Sequence, residues 1–117
     1  MFTDFPSTTP TESATAPRTL EIARFTTRRD DEPAFLASHA AAIAAVRAAF
    51  PALLSVTTVR FATDDGRTTW ADVAVWSSPE EAERAAATCM SIPEFAACAH
   101  FMESDLGVDH GEIVARH

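Results

Sequence analysis

The chain contains no lysine, asparagine, glutamine or tyrosine, and only three glycines and two cysteines. All nine basic residues are arginines, set against seventeen acids for a formal charge of −8. An acidic chain without a basic stripe is a poor ligand for nucleic acid or an anionic membrane surface, so neither partner is expected. No apolar run approaches the roughly 20 residues that span a bilayer. The opening Met1 to Pro6 has neither the basic region nor the apolar core of a secretory signal, which predicts a cytoplasmic location. Cys89 and Cys98 lack C-x-x-C spacing and the four histidines are scattered. No metal site is expected, and the thiols read as reduced packing groups. What remains is a small-molecule or protein partner.

At 117 residues, 47% of them hydrophobic, the chain is long enough for one core and one domain. Residues 1–17 are rich in Thr, Ser and Pro, and Pro6, Pro10 and Pro17 punctuate them. Such a segment cannot supply a packed face, so a flexible tail is expected ahead of a folded domain at 18–117.

The most informative stretch runs from Thr69 through Trp76 to Ala82. Trp70, Asp72, Ala74 and Trp76 share one face of an alternating strand, and Ala71, Val73 and Val75 share the other. The second face is plainly apolar. The first sets a carboxylate between two indoles, a composition suited to a pocket wall. Ser78 then caps a helix, Pro79 fits its first turn and Glu81 completes a capping box.

Elsewhere, Thr19–Phe25 reads as a first strand, and Asp30 or Asp31 caps a helix over roughly 32–49. The apolar stripe of that helix is Phe35, Leu36, His39, Ile43, Val46 and Phe50, before Pro51 stops it. Leu54–Ala62 is a second strand, with Asp65-Gly66 as the hairpin signal into the third. A helix from Pro79 to about Met90 precedes a short one, capped by Ser91, through Phe95, Ala99 and Met102. Gly107–Arg116 is the last strand.

The order predicts an α+β, ferredoxin-like βαββαβ domain: a four-stranded antiparallel sheet with helices on one face. The opposite face, with Ala71, Val73 and Val75, then needs cover, and a homodimer pairing two such sheets supplies it.

Val75-Trp76-Ser77-Ser78-Pro79-Glu80-Glu81-Ala82 and Ile92-Pro93-Glu94-Phe95 resemble the antibiotic biosynthesis monooxygenase family of the dimeric α+β barrel superfamily, over roughly residues 19–116. The resemblance implies an active cavity between the sheet and the helices of one subunit. Its members include cofactor-free oxygenases of aromatic polyketides and small haem-degrading enzymes. Their pattern often pairs an Asn on strand one, the Trp ending strand three and a His on the short helix. Trp76 matches the Trp. The Asn is missing, with Arg24 a substitute, and His100 lies one residue out of step with the expected His. This departure argues against haem, and no cofactor is expected.

Cofactor-free oxygenation needs a substrate that supplies its own electrons, a base, a donor for the resulting anion and a dry site. The expected catalytic residues are His100 and Asp72. Trp70, Trp76, His39, Arg24, Arg60 and Phe95 are expected to line the pocket. Each also has a plain structural role open to it. The two indoles fit a core, Asp72 fits an ion pair with Arg60 across the hairpin, and His39 fits a hydrogen-bonded core histidine. His100 fits a helix end, while His110 and His117 fit the surface or a dimer interface.

The expected function is a cofactor-independent monooxygenase-like tailoring enzyme using molecular oxygen on a small aromatic, polyketide-like substrate. The alternatives are a non-catalytic ligand-binding or assembly module, and a cyclase or isomerase on the same scaffold.

Overall fold

A computed structural model describes residues 17–62 and 65–117. The expected tail therefore lies almost wholly outside the described residues, as do Thr63 and Asp64 of the hairpin. The elements run β1 (Thr19–Arg28), α1 (Glu32–Ala49), β2 (Leu53–Phe61), β3 (Arg67–Trp76), α2 (Pro79–Thr88), α3 (Pro93–Ala99) and β4 (Met102–Glu112). The strands form one antiparallel sheet in the order β2-β3-β1-β4. This is the ferredoxin-like α+β arrangement expected from the order of elements.

Several boundaries depart from the pattern in the sequence, each for a local reason. β1 runs on to Arg28 because β3 pairs with it over its full length, from Thr19 opposite Trp76 to Arg28 opposite Arg67. β4 begins at Met102 rather than Gly107, since Met102, Ser104 and Asp105 already pair with Thr27, Thr26 and Phe25. The short helix accordingly stops at Ala99. Its N-cap is Ile92, not Ser91, whose hydroxyl instead donates to the Thr88 carbonyl at 2.6 Å within a 3-10 turn. Asp31 holds the N-cap position of α1 but makes no side-chain cap bond. The cap on α2 forms as expected, with Ser78 Oγ accepting from the Glu81 N–H at 3.3 Å.

The hairpin between β2 and β3 turns through Asp65 and Gly66, both at positive φ (54° and 78°). The Asp-Gly pair tolerates that left-handed backbone, Gly because it has no Cβ and Asp because its short polar side chain bonds locally.

Alternation then assigns the two faces of the sheet. Trp70, Asp72, Ala74 and Trp76 of β3 lie with Glu21, Ala23 and Phe25 of β1 on the face that the helices cover. Two clusters form there. One gathers Phe25, Phe35, Ala42, Trp70 and Cys98; the other gathers Val46, Phe50, Leu53, Ala74, Trp76, Ala82 and Ala85. Phe95 of α3 packs against both. In α1 the buried positions are Phe35, His39, Ala42 and Val46. Leu36, expected in the stripe, is 39% exposed because the buried track through positions 35, 39, 42 and 46 passes to one side of it.

The opposite face carries Leu20, Ile22, Arg24, Ala71, Val73, Val75 and Val59, with no helix among the described residues over it. Leu20, Ile22, Val59, Val73 and Val75 are only half-buried there. No helix among the described residues is long and apolar enough to cross a membrane.

Candidate functional site

Asp72 sits midway along β3, with Ala23 opposite it on β1 and Thr58 opposite it on β2. The methyl group of Ala23 fills little space, so a carboxylate fits between the Trp70 cluster and the Trp76 cluster. Two partners satisfy it. Thr58 Oγ1 donates to Oδ1 at 2.8 Å, and His39 Nε2 meets Oδ2 at 2.8 Å. The His39 side chain is 8% exposed and that of Asp72 17%, so this polar pair is largely dry.

The helix register explains how His39 reaches the strand. His39 lies one turn beyond Phe35, which is fully buried, and the two rings are 5.2 Å apart. Phe35 in turn lies 4.9 Å from Trp70 and 5.7 Å from Phe25. The aromatic stack therefore anchors α1 at the depth that brings the imidazole to Asp72.

The hydrogen bond to a carboxylate assigns the proton of neutral His39 to Nε2 and leaves Nδ1 as the basic nitrogen. A carboxylate behind an imidazole also stabilises the imidazolium that forms when Nδ1 takes a proton. The pair is thus equipped for general acid–base chemistry in an apolar setting.

The expected ion pair between Asp72 and Arg60 does not form. Arg60 lies opposite Trp70, not Asp72, in the β2–β3 register. Its guanidinium sits over the Trp70 ring at 5.3 Å and pairs with Glu32 of α1. The Trp70 indole N–H donates to Thr27 Oγ1 at 2.9 Å.

Two expected site residues stand apart from this pair. Arg24 pairs with Ala71, on the uncovered face, and reaches Asp109 at 3.4 Å. An Arg in that register points away from Asp72, so it cannot stand in for a residue on the covered face. His100 is exposed just past the end of α3, where the chain turns into β4.

Trp76 is 3% exposed and is packed in the second cluster, 6.3 Å from Phe50. Its indole N–H donates to Glu21 Oε1 at 3.0 Å, and Glu21 Oε2 meets His110 Nε2 at 2.7 Å. His110 is therefore a bonded partner of Glu21 rather than a plain surface residue. The alternation of Glu21, Ala23 and Phe25 could have placed Glu21 on the covered face. Pairing it with His110 required the β1–β4 register. Thr58 and Thr27 were missed for the same reason, as their roles depend on which residue each strand sets opposite them.

Burial pushes the Cys98 thiol up to about 11, and the Asp72 charge nearby pushes the same way. Burial likewise raises Cys89. Both thiols stay protonated at neutral pH, so neither supplies a thiolate nucleophile. Among the described residues no group of three or more His, Cys, Asp or Glu side chains is placed to hold a metal ion.

No family model and no curated protein matches the sequence. Solved structures do match. The chain is similar to the cofactor-independent oxygenase SnoaB from Streptomyces nogalater, at 22% identity and a TM-score of 0.59, over 87% of this chain and 96% of that one. It is similar to a proposed antibiotic biosynthesis monooxygenase from Caulobacter crescentus CB15, at 14% identity and a TM-score of 0.65, over 86% and 92%. A dimeric ferredoxin-like protein from an uncultured marine organism matches at 10% identity and a TM-score of 0.66, over 86% and 99%. At these identities the likeness is one of fold. It is the fold of structures named as antibiotic biosynthesis monooxygenases, in keeping with the resemblance carried by Val75–Ala82.

Proposed function

We propose that the chain is a cofactor-independent monooxygenase of an aromatic, polyketide-like substrate, with His39 and Asp72 as its acid–base pair. The observation that carries this reading is the 2.8 Å contact between a buried imidazole and a half-buried carboxylate at the seam of two clusters that contain aromatic side chains. The likeness to a cofactor-independent oxygenase supports the reaction class. The substrate is a carbon acid such as an anthrone, whose CH2 group becomes a carbonyl. One oxygen atom enters the product and the other leaves as water, with the substrate supplying both hydrogens and all the electrons. His39 Nδ1 takes the first proton, and Asp72 holds the imidazolium. The apolar walls raise the energy of the anion and favour electron transfer to oxygen. Thr58 and Arg60, both exposed on β2, mark the side from which the substrate reaches the pair.

The test is oxygen uptake with an anthrone panel, using protein freed of flavin, haem and metal. Uptake matched one-to-one by quinone product is the expected result. Product formed equally well without oxygen would make the enzyme a cyclase or isomerase using the same pair. No turnover by folded protein across the panel would leave a ligand-binding module.

The working form is proposed to be a homodimer joined through the uncovered sheet faces. Half-buried Leu20, Ile22, Val59, Val73 and Val75 give that face its apolar character. Val73→Arg should yield a folded monomer at concentrations where the parent chain is a dimer, as read by light scattering. An unchanged mass would show that copies do not meet there.

A further inference from the structure

Glu21 and His110 form a second carboxylate–imidazole pair, on the same face of the sheet as His39 and Asp72. Glu21 lies opposite His110 in the β1–β4 register, and Ala23 lies opposite Val108 one step along that face. Ala23 is also the residue opposite Asp72. The floor between the two pairs is therefore made of two short apolar side chains. α1 and α2 pack over β1, β2 and β3, and no helix among the described residues makes a comparable contact with β4. From Glu103 to Glu112 that strand is exposed, Val108 by 51%, while Glu21 and Ala23 are half-buried. A shelf is thus left open at the β4 edge. Strands about 4.8 Å apart, with alternate residues about 6.8 Å apart, give it the footprint of one or two fused rings.

The polar end of the shelf has one free function. Glu21 Oε1 accepts from the Trp76 indole N–H at 3.0 Å, and Oε2 meets His110 Nε2 at 2.7 Å. Both carboxylate oxygens are engaged, and the contact assigns the proton of neutral His110 to Nε2. Nδ1 is left as the acceptor, on a side chain 36% exposed and so within reach of a ligand. The carboxylate behind the ring offsets the charge that gathers there when an acidic O–H donates to Nδ1. A net charge of −8 disfavours an anion, so the fitting donor is an uncharged one.

We propose that this shelf binds a neutral phenol of one or two fused rings, its hydroxyl donating to His110 Nδ1 and its ring lying on Ala23 and Val108. The dimer proposed above joins the other face of the sheet and leaves the shelf open. The site also stands whether or not the chain is an oxygenase: it opens at the β4 edge, whereas Thr58 and Arg60 stand on β2 at the opposite edge.

The experiment is calorimetric titration of the full chain at neutral pH with naphthol and with methoxynaphthalene, which keeps the rings and lacks the donor. NMR of the His110 ring and the Val108 methyls reports the location. Naphthol should bind and shift both sets of signals, and the ether should bind about tenfold more weakly or worse. His110→Phe keeps a ring without an acceptor and should bring naphthol down to the level of the ether. Val108→Asp, which sets a charge on the floor at an exposed position, should weaken both ligands; circular dichroism checks that each variant is folded. No binding of naphthol, equal binding of the ether, or undiminished binding by either folded variant would overturn the proposal. Loss of naphthol binding in Asp72→Asn would place the ring at the His39–Asp72 pair and overturn it as well. Absence of oxygen uptake with an anthrone panel, the result that defeats the oxygenase reading, alters none of these expectations.

Discussion

Asp72→Asn is expected to lower turnover of an anthrone substrate by about 10²- to 10⁴-fold, the range typical of a positioned general base. Asn keeps the size of the side chain and an oxygen for Thr58 Oγ1, now 2.8 Å from Oδ1. What it removes is the negative charge behind His39. An amide gives the imidazolium no compensating charge, and it also allows the ring to place its proton on Nδ1. The fall should appear in kcat more than in KM, because the charge matters most once the proton has moved. His39→Ala should cost about as much, and the double variant should cost little more than either alone, because the two act as a unit. Additive losses would mean that the residues serve separate roles. Full activity in Asp72→Asn would reduce the pair to a buried structural contact, and oxygen uptake at saturating substrate decides between these outcomes.

Phe35→Ala is expected to destabilise the fold by about 3–5 kcal/mol, the usual cost of emptying a buried aromatic site. Against a total of about 5–15 kcal/mol for a single domain, that is a large share. Phe35 is fully buried and its ring meets Phe25, Trp70 and His39, so no neighbour can collapse into the space without moving α1 off the sheet. Leu36→Ala, one residue along, is the control. Leu36 is 39% exposed and should cost well under about 1 kcal/mol. Urea denaturation followed by tryptophan fluorescence measures both. Comparable losses would mean that α1 lies on the sheet in a different rotation. Because Phe35 sets the depth of His39, Phe35→Leu should retain most of the stability yet reduce activity by misplacing the imidazole.

The fold was legible because its signals are local. The alternation of Trp70, Asp72, Ala74 and Trp76, the Ser78 cap and the Asp65-Gly66 turn each act over a few residues and formed as read, although Glu81 turns its carboxylate to Arg84 instead of completing a capping box. The site was legible only in part. Asp72 and His39 stood out as polar groups on apolar faces, but nothing in the sequence says that α1 carries His39 to Asp72. That meeting depends on the packing of Phe35 and on the small residue at position 23. Arg24 and Arg60 show the same limit. A one-residue step in a strand reverses the face, and a two-residue step in register sets an Arg over an indole instead of beside a carboxylate. His100 drew attention through a resemblance, and it lies exposed just past the end of α3, where the chain turns into β4 at Met102.

β4 has a consequence for how copies of this chain can add to one another. It is an edge strand, almost wholly exposed, and so offers a free ladder of backbone groups. Such an edge recruits further strands and seeds fibrils unless it is blunted. Here Glu103, Asp105, Asp109 and Glu112 line it, and register shifts interrupt its pairing with β1 between Arg24 and Phe25 and between Thr26 and Thr27. Like charges would confront one another if two such edges met. The strand is thereby guarded against open-ended growth by strand addition along this edge.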